Sequence, residues 1–441
     1  MSEAPGLAAR AIAVATISSV LDRRQRLDDA FDKVLGVRGE IPSRDRAFAR
    51  LMATTALRRL GEIDAILAHL IERPLPEAAR SVRNILRVMA TQLLFLETPA
   101  HAAVDSAVRQ VRQDERLARF AGLVNAVGRR LGNAPRLSEP EAARANTPDW
   151  LWQRWVRHYG ADTAEAIARA HLVEPALDLS VTSDPAGWAE RLGGDVLSTG
   201  SVRLTSPGRV EELPGYEDGG WWVQDAAAAL PVRLLGDVAG REVADLCAAP
   251  GGKTAELLAL GARVTAVDSS ERRLRQAGRN LARLKLAADL VAADVRTWDP
   301  GRWFERILLD APCLATGTIR RHPDLPYLKS AAELEDLTKR QQELLRHAAG
   351  LLAPGGTLVY AVCSLEPEEG ESQIEDLLSE HPDLAIDAVR PGEGGIAAEW
   401  ITPQGYLRTL PFHSPGRSPN VAGMDGFFAA RLIKSANASE A

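Results

Sequence analysis

Apolar residues recur three and four positions apart from residue 7 to about 132, which predicts helices over 7–21, 26–35, 43–70, 76–95, 100–112 and 115–131. The breaks fall at Pro42, Pro74, Pro76 and Pro99, and Ser43-Arg-Asp-Arg46 reads as a helix start. Residues 133–148 are polar and carry prolines, the composition of a linker. Pro148-Asp-Trp-Leu-Trp-Gln-Arg-Trp155 then opens an amphipathic helix whose tryptophans are expected to staple a small subdomain. A strand over 177–182, a helix over 186–192 and shorter strand-like pieces continue it up to Pro214. Trp221 and Trp222 read as packing residues ahead of a helix over 225–235.

From residue 241 the period alternates. Strands over 242–246, 263–267, 289–292, 305–309 and 357–362 are separated by helices over 254–260, 270–285, 331–352 and 367–380. That alternation calls for an α/β fold with a parallel, doubly wound sheet. Pro354-Gly-Gly356 marks a stop before the fifth strand, 426–432 reads as a final strand, and the tail 435–441 is expected to be disordered.

At 441 residues, two or three domains are expected. The net charge of −6 is unevenly distributed: residues 1–136 hold 22 Lys and Arg against 15 Asp and Glu, and the remainder is acidic. A positive amino-terminal third suits contact with a phosphate backbone, although a solvated helical surface reads the same way. Three widely spaced cysteines, Cys247, Cys313 and Cys363, with no C-x-x-C pair, argue against a disulfide framework or a zinc site and for a reducing compartment. The apolar stretch 11–20 is too short to span a membrane and lacks the marks of a signal peptide. A soluble, cytoplasmic protein is expected.

The chemistry concentrates after the first strand of the alternating region, in Val243-Ala-Asp-Leu-Cys-Ala-Ala-Pro-Gly-Gly-Lys-Thr254. Strand, glycine turn and helix build a nucleotide site, because the glycines admit a ligand to the backbone and the helix start offers free N–H groups. A dinucleotide fingerprint is absent, and the glycine a phosphate loop needs six residues before its lysine is Cys247. Asp268, Asp294 and Asp310 close the second, third and fourth strands, where a ligand would lie. Singly, each would read as a cap for the following turn. Arg320-Arg321-His322 could hold phosphates or form a solvated loop, and 366–371 reads as an acidic helix start.

The string Asp245-Leu-Cys-Ala-Ala-Pro-Gly-Gly-Lys-Thr254 resembles the S-adenosylmethionine loop of class I methyltransferases, in the form carried by the Nol/Nop/Sun RNA cytosine-5 methyltransferases. The stretch from Asp310-Ala-Pro-Cys313 to Asp324 resembles that family's fourth motif, and Tyr360-Ala-Val-Cys-Ser364 its sixth. Trp221-Trp-Val-Gln-Asp225 and Asp425-Gly-Phe-Phe428 resemble its entry segment and last strand. Residues 101–108 and 120–130 resemble the NusB-like RNA-binding fold; a plain helical bundle is the alternative.

The resemblance implies an all-α NusB-like domain over 1–135, a linker over 136–147, a small α/β RNA-binding subdomain over 148–220 and a class I, Rossmann-like catalytic domain over 221–434. It implies S-adenosylmethionine as cofactor, held by Cys247, Ala248, Ala249, Pro250, Gly251, Gly252, Lys253, Asp268, Asp294 and Asp310. It implies a monomer, without metal or membrane, acting on RNA, with small-subunit rRNA foremost. Cys363 would attack carbon 6 of cytosine, Cys313 would assist proton removal and release, Asp310 would bond the base, and Lys253 would support the thiolate. The family's sixth motif carries Thr before its cysteine, where this chain has Val362. In DNA cytosine-5 methyltransferases the cysteine corresponding to Cys313 attacks, so the order of the two roles stays open. Another RNA such as tRNA, or a catalytically weak assembly factor, remains as an alternative.

Overall fold

The computed structural model describes residues 6–205, 208–414 and 423–436. The rest of the expected disordered tail, residues 437–441, lies outside them. The backbone divides into two compact units: Met1–Val173 with Ile319–Ser330, and Glu174–Thr318 with Ala331–Ala441.

The first unit is helical, with α1 (Leu7–Arg23), α2 (Leu27–Arg38), α3 (Ser43–Arg58), α4 (Leu60–Leu70), α5 (Arg80–Phe95), α6 (Ala100–Gln113), α7 (Ala121–Leu131), α8 (Glu139–Ala145), α9 (Asp149–Tyr159) and α10 (Ala161–His171). In α5, Val82, Ile85, Leu86, Met89, Ala90 and Leu94 are buried, the three-and-four spacing of a helix enclosed by neighbours. Of its three buried polar residues, Asn84, Thr91 and Gln92, the last accepts from Arg10 Nε at 2.7 Å.

Two expectations are corrected here. The single helix over 43–70 is broken at Arg59, whose φ of −110° and ψ of 18° are not helical. The N–H of Glu62 in the new first turn finds an acceptor in the Asn146 side chain at 3.1 Å, a cap supplied from 84 residues away. The stretch read as a linker contains α8, whose start is closed by Glu141 accepting from the backbone and hydroxyl of Ser138 at 2.8 and 2.6 Å. The helices α8 to α10 pack on one another through Ala142, Ala143, Ala168, Leu172 and Trp152. They belong to the helical unit, where Trp152 of the tryptophan-rich α9 packs.

The second unit begins with β1 (Leu177–Val181), α11 (Pro185–Leu192), β2 (Asp195–Val196), β3 (Val202–Leu204) and β4 (Trp221–Val223). These strands form an antiparallel sheet in the order β2-β3-β1-β4. Trp221 and Trp222 are buried, as expected of packing residues. Then come α12 (Ala226–Arg233), β5 (Glu242–Leu246), α13 (Gly252–Ala259), β6 (Arg263–Asp268), α14 (Glu271–Arg283), β7 (Asp289–Ala292) and β8 (Phe304–Asp310). The chain returns to the first unit for Ile319–Ser330, with the turn α15 (Leu325–Leu328), and comes back through α16 (Ala331–Gly350), β9 (Leu352–Val362), α17 (Glu371–Glu380), β10 (Leu384–Ile386), β11 (Leu407–Thr409) and β12 (Phe427–Lys434).

The main sheet runs β10-β12-β9-β8-β5-β6-β7, with β11 beside β12. The strands β5 to β9 are parallel, and β12 closes antiparallel against β9. This is an all-α domain followed by a class I, Rossmann-like methyltransferase fold. Strand β9 starts earlier than expected: the register jumps from Phe304↔Leu352 to Arg306↔Thr357, so Pro354-Gly-Gly356 makes a bulge rather than a stop. Alternate residues serve opposite faces. Leu246, Leu309, Tyr360 and Val362 pack with Leu344 and Ile374, whereas Val243, Leu308, Val359 and Ala361 pack with Leu230 and Leu257. From β5 the chain proceeds outward to β6 and β7, then returns to β8 on the other side. The carboxyl ends of β5 and β8 therefore flank the point where the strand order reverses, which is where such sheets bind ligands.

Candidate active site

The β5–α13 turn is shaped by its backbone. Cys247 takes φ 63°, Gly251 takes φ 97° and Ala249–Pro250 is cis. A Cβ on Gly251 would stand 3.1 Å from that of Ala277, in a conformation strained for any side chain. The turn is pinned by Ala248 N–H to Val267 O at 3.0 Å and by Asn280 Nδ2 to Pro250 O at 3.0 Å. Beneath it, the buried Asp245 accepts from Thr254 Oγ1 at 2.6 Å, and its other oxygen has no hydrogen-bond partner. Burial pushes the Asp245 carboxyl up to about 7.

The three strand-end carboxylates differ. Asp268 is almost wholly buried and accepts from Ala249 N–H at 3.3 Å, Ser270 N–H at 2.8 Å and Arg273 at 2.8 Å, which couples it to the glycine turn. Asp294 is half-buried and gripped by Arg296, a hydrogen-bonded pairing that brings its carboxyl down to about 2. Asp310 accepts from Lys253 Nζ at 2.7 Å. Burial would lower the lysine, but Asp310 beside it outweighs that and holds the ammonium above its ordinary range. The same ammonium lies 5.1 Å from the centre of the Phe427 ring.

The sheet brings the two candidate thiols together: Cys313 Sγ and Cys363 Sγ are 3.5 Å apart. The hydrogen bond to Cys363 and burial hold Cys313 well above the usual thiol range, so Cys313 keeps its proton. Cys247 is set apart by burial and by Asp268 and Asp310, which push it up to about 12. Its thiol stays protonated and inert. Val362 is fully buried with Leu358, Tyr360 and Phe428, whereas Cys363 packs toward the opposite face. The position is one of packing, where valine serves as well as threonine in shape.

Several residues of this site are not legible as functional in the sequence. Glu366 and Glu369, in the stretch read as an acidic helix start, are fully buried. Thr316 Oγ1 lies 3.2 Å from Ser364 Oγ and accepts from Leu365 N–H at 2.9 Å. Gly317 N–H donates to Cys363 O at 3.1 Å. Arg408 donates to Ser364 O at 2.6 Å. Arg320 is also buried, its carbonyl accepting from Arg58 at 3.0 Å inside the helical unit, so it does not form an exposed phosphate-binding loop.

Whether these residues suit an adenosyl sulfonium can be judged from the turn itself. Its glycines leave the backbone open, a Cβ on Gly252 would meet nothing closer than 4.0 Å, and Asp245 keeps one oxygen unpaired beneath it. The donor set fits. Among the described residues no group of three or more His, Cys, Asp or Glu is placed to hold a metal, and no helix is long and apolar enough to cross a membrane.

Residues 232–433 match the family model described as 16S rRNA methyltransferase RsmB/F, and residues 7–132 match the NusB family. The ribosomal RNA small subunit methyltransferase B of Cronobacter sakazakii is 34% identical over 448 residues, 96% of this chain and 98% of that protein. The protein of the same name from Shewanella oneidensis is 34% identical over 97% of this chain and 99% of its own. Among solved structures, that of PH0851 superposes with a TM-score of 0.74 at 23% identity, covering 98% of this chain and 100% of that one, a likeness of fold.

Proposed function

The chain belongs to the RsmB/F family of 16S rRNA methyltransferases, and from that premise we propose that it forms 5-methylcytosine in small-subunit rRNA through two cysteines with separate duties. The observation that carries this reading is the pair of sulfurs 3.5 Å apart at the strand ends. S-adenosylmethionine is the cofactor and supplies an electrophilic methyl when bound. The 247–253 turn would hold it with Asp268 and Asp294.

Carbon 5 of cytosine is a poor nucleophile. Addition of the Cys363 sulfur at carbon 6 moves the ring electrons toward carbon 5 and N3, giving an enamine that can attack. Asp310 would hydrogen-bond N3 and the exocyclic amine as that charge develops, and the Lys253 ammonium holds Asp310 in place and adds positive potential. Once carbon 5 carries the methyl, its proton must leave as the carbon–sulfur bond breaks and the ring electrons return.

Cys313 is held protonated first by its partner sulfur. Engagement of that partner in a thioether removes the largest of these restraints, so that Cys313 can release its thiol proton to solvent and, as the thiolate, take the proton from carbon 5 while the bond from carbon 6 to Cys363 breaks. This order protects the nucleophile from premature quenching. The base must be unstacked to reach the thiols, so a single-stranded or loop segment is the target. The amino-terminal unit, with its positive balance over 1–136, would hold the flanking RNA. The enzyme is read as a cytoplasmic monomer.

The test is trapping on a denaturing gel with S-adenosylmethionine and unmodified small-subunit rRNA. Cys313→Ala should give a denaturant-stable RNA adduct and Cys363→Ala none. An adduct with Cys363→Ala alone would reverse the roles. No adduct and no methyl transfer from any version would count against this substrate.

A further inference from the structure

Between the two cysteine loops lies a buried carboxylate that the reaction as described does not use. Glu369 and Gln341 are both fully enclosed. Glu369 accepts the N–H of Leu314 on both oxygens, at 2.9 and 3.2 Å. The side chain of Gln341 donates to Glu369 Oε1 at 2.9 Å and to Pro312 O at 2.8 Å. The peptides on both sides of Cys313 are thus held, one by the carboxylate and one by the amide that the carboxylate orients. The same carboxyl is hydrogen-bonded to the hydroxyl of Ser364, the residue after Cys363. Its own main chain is fixed by Tyr360 Oη donating to Glu369 O at 2.7 Å.

A carboxylate is a costly choice for this place. Burial drives the carboxyl upward despite three hydrogen bonds, and its charge helps keep the proton on Cys313. A group that only filled space would be cheaper as leucine or methionine. What a carboxylate offers is convergent acceptance: it bonds the residue after each cysteine and the amide that holds the residue before one of them.

We propose that Glu369 is a positioning residue for the release step: with Gln341 it fixes Cys313 against Cys363 at the separation needed to remove the carbon 5 proton from the adduct. The proposal rests on the division of cysteine roles given above. Loss of the clamp leaves Cys363 free to attack but lets Cys313 drift from the carbon 5 proton, so methyl transfer outlasts turnover.

The experiment compares Glu369→Gln, Glu369→Ala and Gln341→Ala with wild type, Cys313→Ala and Cys363→Ala in the full-length enzyme. Unmodified small-subunit rRNA and radiolabelled S-adenosylmethionine are used under single- and multiple-turnover conditions. Glu369→Ala and Gln341→Ala should keep single-turnover methyl transfer within about threefold of wild type, while multiple turnover falls at least tenfold and the adduct accumulates. Glu369→Gln keeps the shape and an acceptor oxygen and should recover most of the turnover. Having lost the charge that favours a protonated Cys313, it should also carry the release rate to lower pH. Multiple turnover within twofold of wild type in both alanine variants would overturn the proposal, as would parallel loss of methyl transfer and release with weakened cofactor binding. If Cys313→Ala traps no adduct, or Cys363→Ala does, the division of roles fails and the proposal falls with it. A normal trap by Cys313→Ala beside normal turnover in Glu369→Ala defeats the proposal alone.

Discussion

Gly317 and Gly426 touch through their backbones: Gly426 N–H donates to Gly317 O at 2.8 Å, and a Cβ on Gly317 would lie 1.8 Å from Gly426 O. Gly317 simultaneously donates to Cys363 O, so one residue joins the loops after β8 and β9 and the approach to β12. Gly317→Ala cannot be accommodated without moving one of them. A stability loss of about 1–3 kcal/mol is expected from overpacking of this kind, with a larger loss of turnover because the displaced loop carries Cys313. Denaturant titration beside single-turnover methyl transfer checks it; wild-type rates in the alanine variant would show that the contact carries no function.

Lys253 keeps its proton in a buried place because Asp310 is 2.7 Å away. In Asp310→Asn, burial acts on the lysine unopposed by its strongest partner, and its pKa falls. The activity that remains, lowered about a hundredfold by loss of the carboxylate that meets the base, should therefore decline at a lower pH than in wild type as the lysine gives up its charge. The pH–rate profile of single-turnover methylation between pH 6 and 10 distinguishes this from simple loss of a contact, which would lower the profile without moving its alkaline limb.

The alternating strands and helices from residue 242 were legible because parallel strands buried on both faces are continuous apolar runs, and Ile307–Leu309 and Leu358–Val362 have that form. The cysteine pair was legible through strand ends: 50 residues separate Cys313 from Cys363, yet β8 and β9 are neighbours. Glu369 was not. Its sequence context, Glu366-Pro-Glu-Glu-Gly370, is that of an acidic helix start, and only the fold turns that carboxylate inward. The break at Arg59 was hidden for a similar reason, since its cap, Asn146, comes from a distant segment. By contrast, α8 could have been found, because Ser138 and Glu141 stand at capping-box spacing.

The neutral form of Asp245 is favoured by folding, since its carboxyl is raised from an ordinary value near 3.8 to about 7. Between those pH values the folded state binds the proton and the unfolded state does not, so this group's contribution to stability is full below pH 4 and is lost as pH rises through 7. Asp245→Asn keeps an acceptor for Thr254 and cannot ionise. Measured without cofactor, it should be more stable than wild type at pH 8 by a margin on the order of a few kcal/mol, and the two should converge near pH 4. A constant difference across that range would mean the carboxyl is not perturbed.

Asp324 shows how the excursion Ile319–Ser330 is built into the helical unit. Its carboxylate, almost fully buried, accepts the N–H of Leu27 at 2.9 Å, the first residue of α2 and 297 positions away. Arg26, which precedes that helix, makes no side-chain cap, so the helix start is satisfied from across the fold. Leu328 of the same excursion enters the core formed by Ile17, Leu27, Met52 and Val88. Asp324→Ala would leave a buried N–H without its acceptor, and a loss of about 1–2 kcal/mol is expected. Asp324→Asn retains an acceptor oxygen and should lose less. Because the excursion follows directly on the loop of Cys313, the alanine variant should also lower turnover, and hydrogen exchange at the start of α2 should rise with it. Unchanged exchange at Leu27 in Asp324→Ala would remove the capping role.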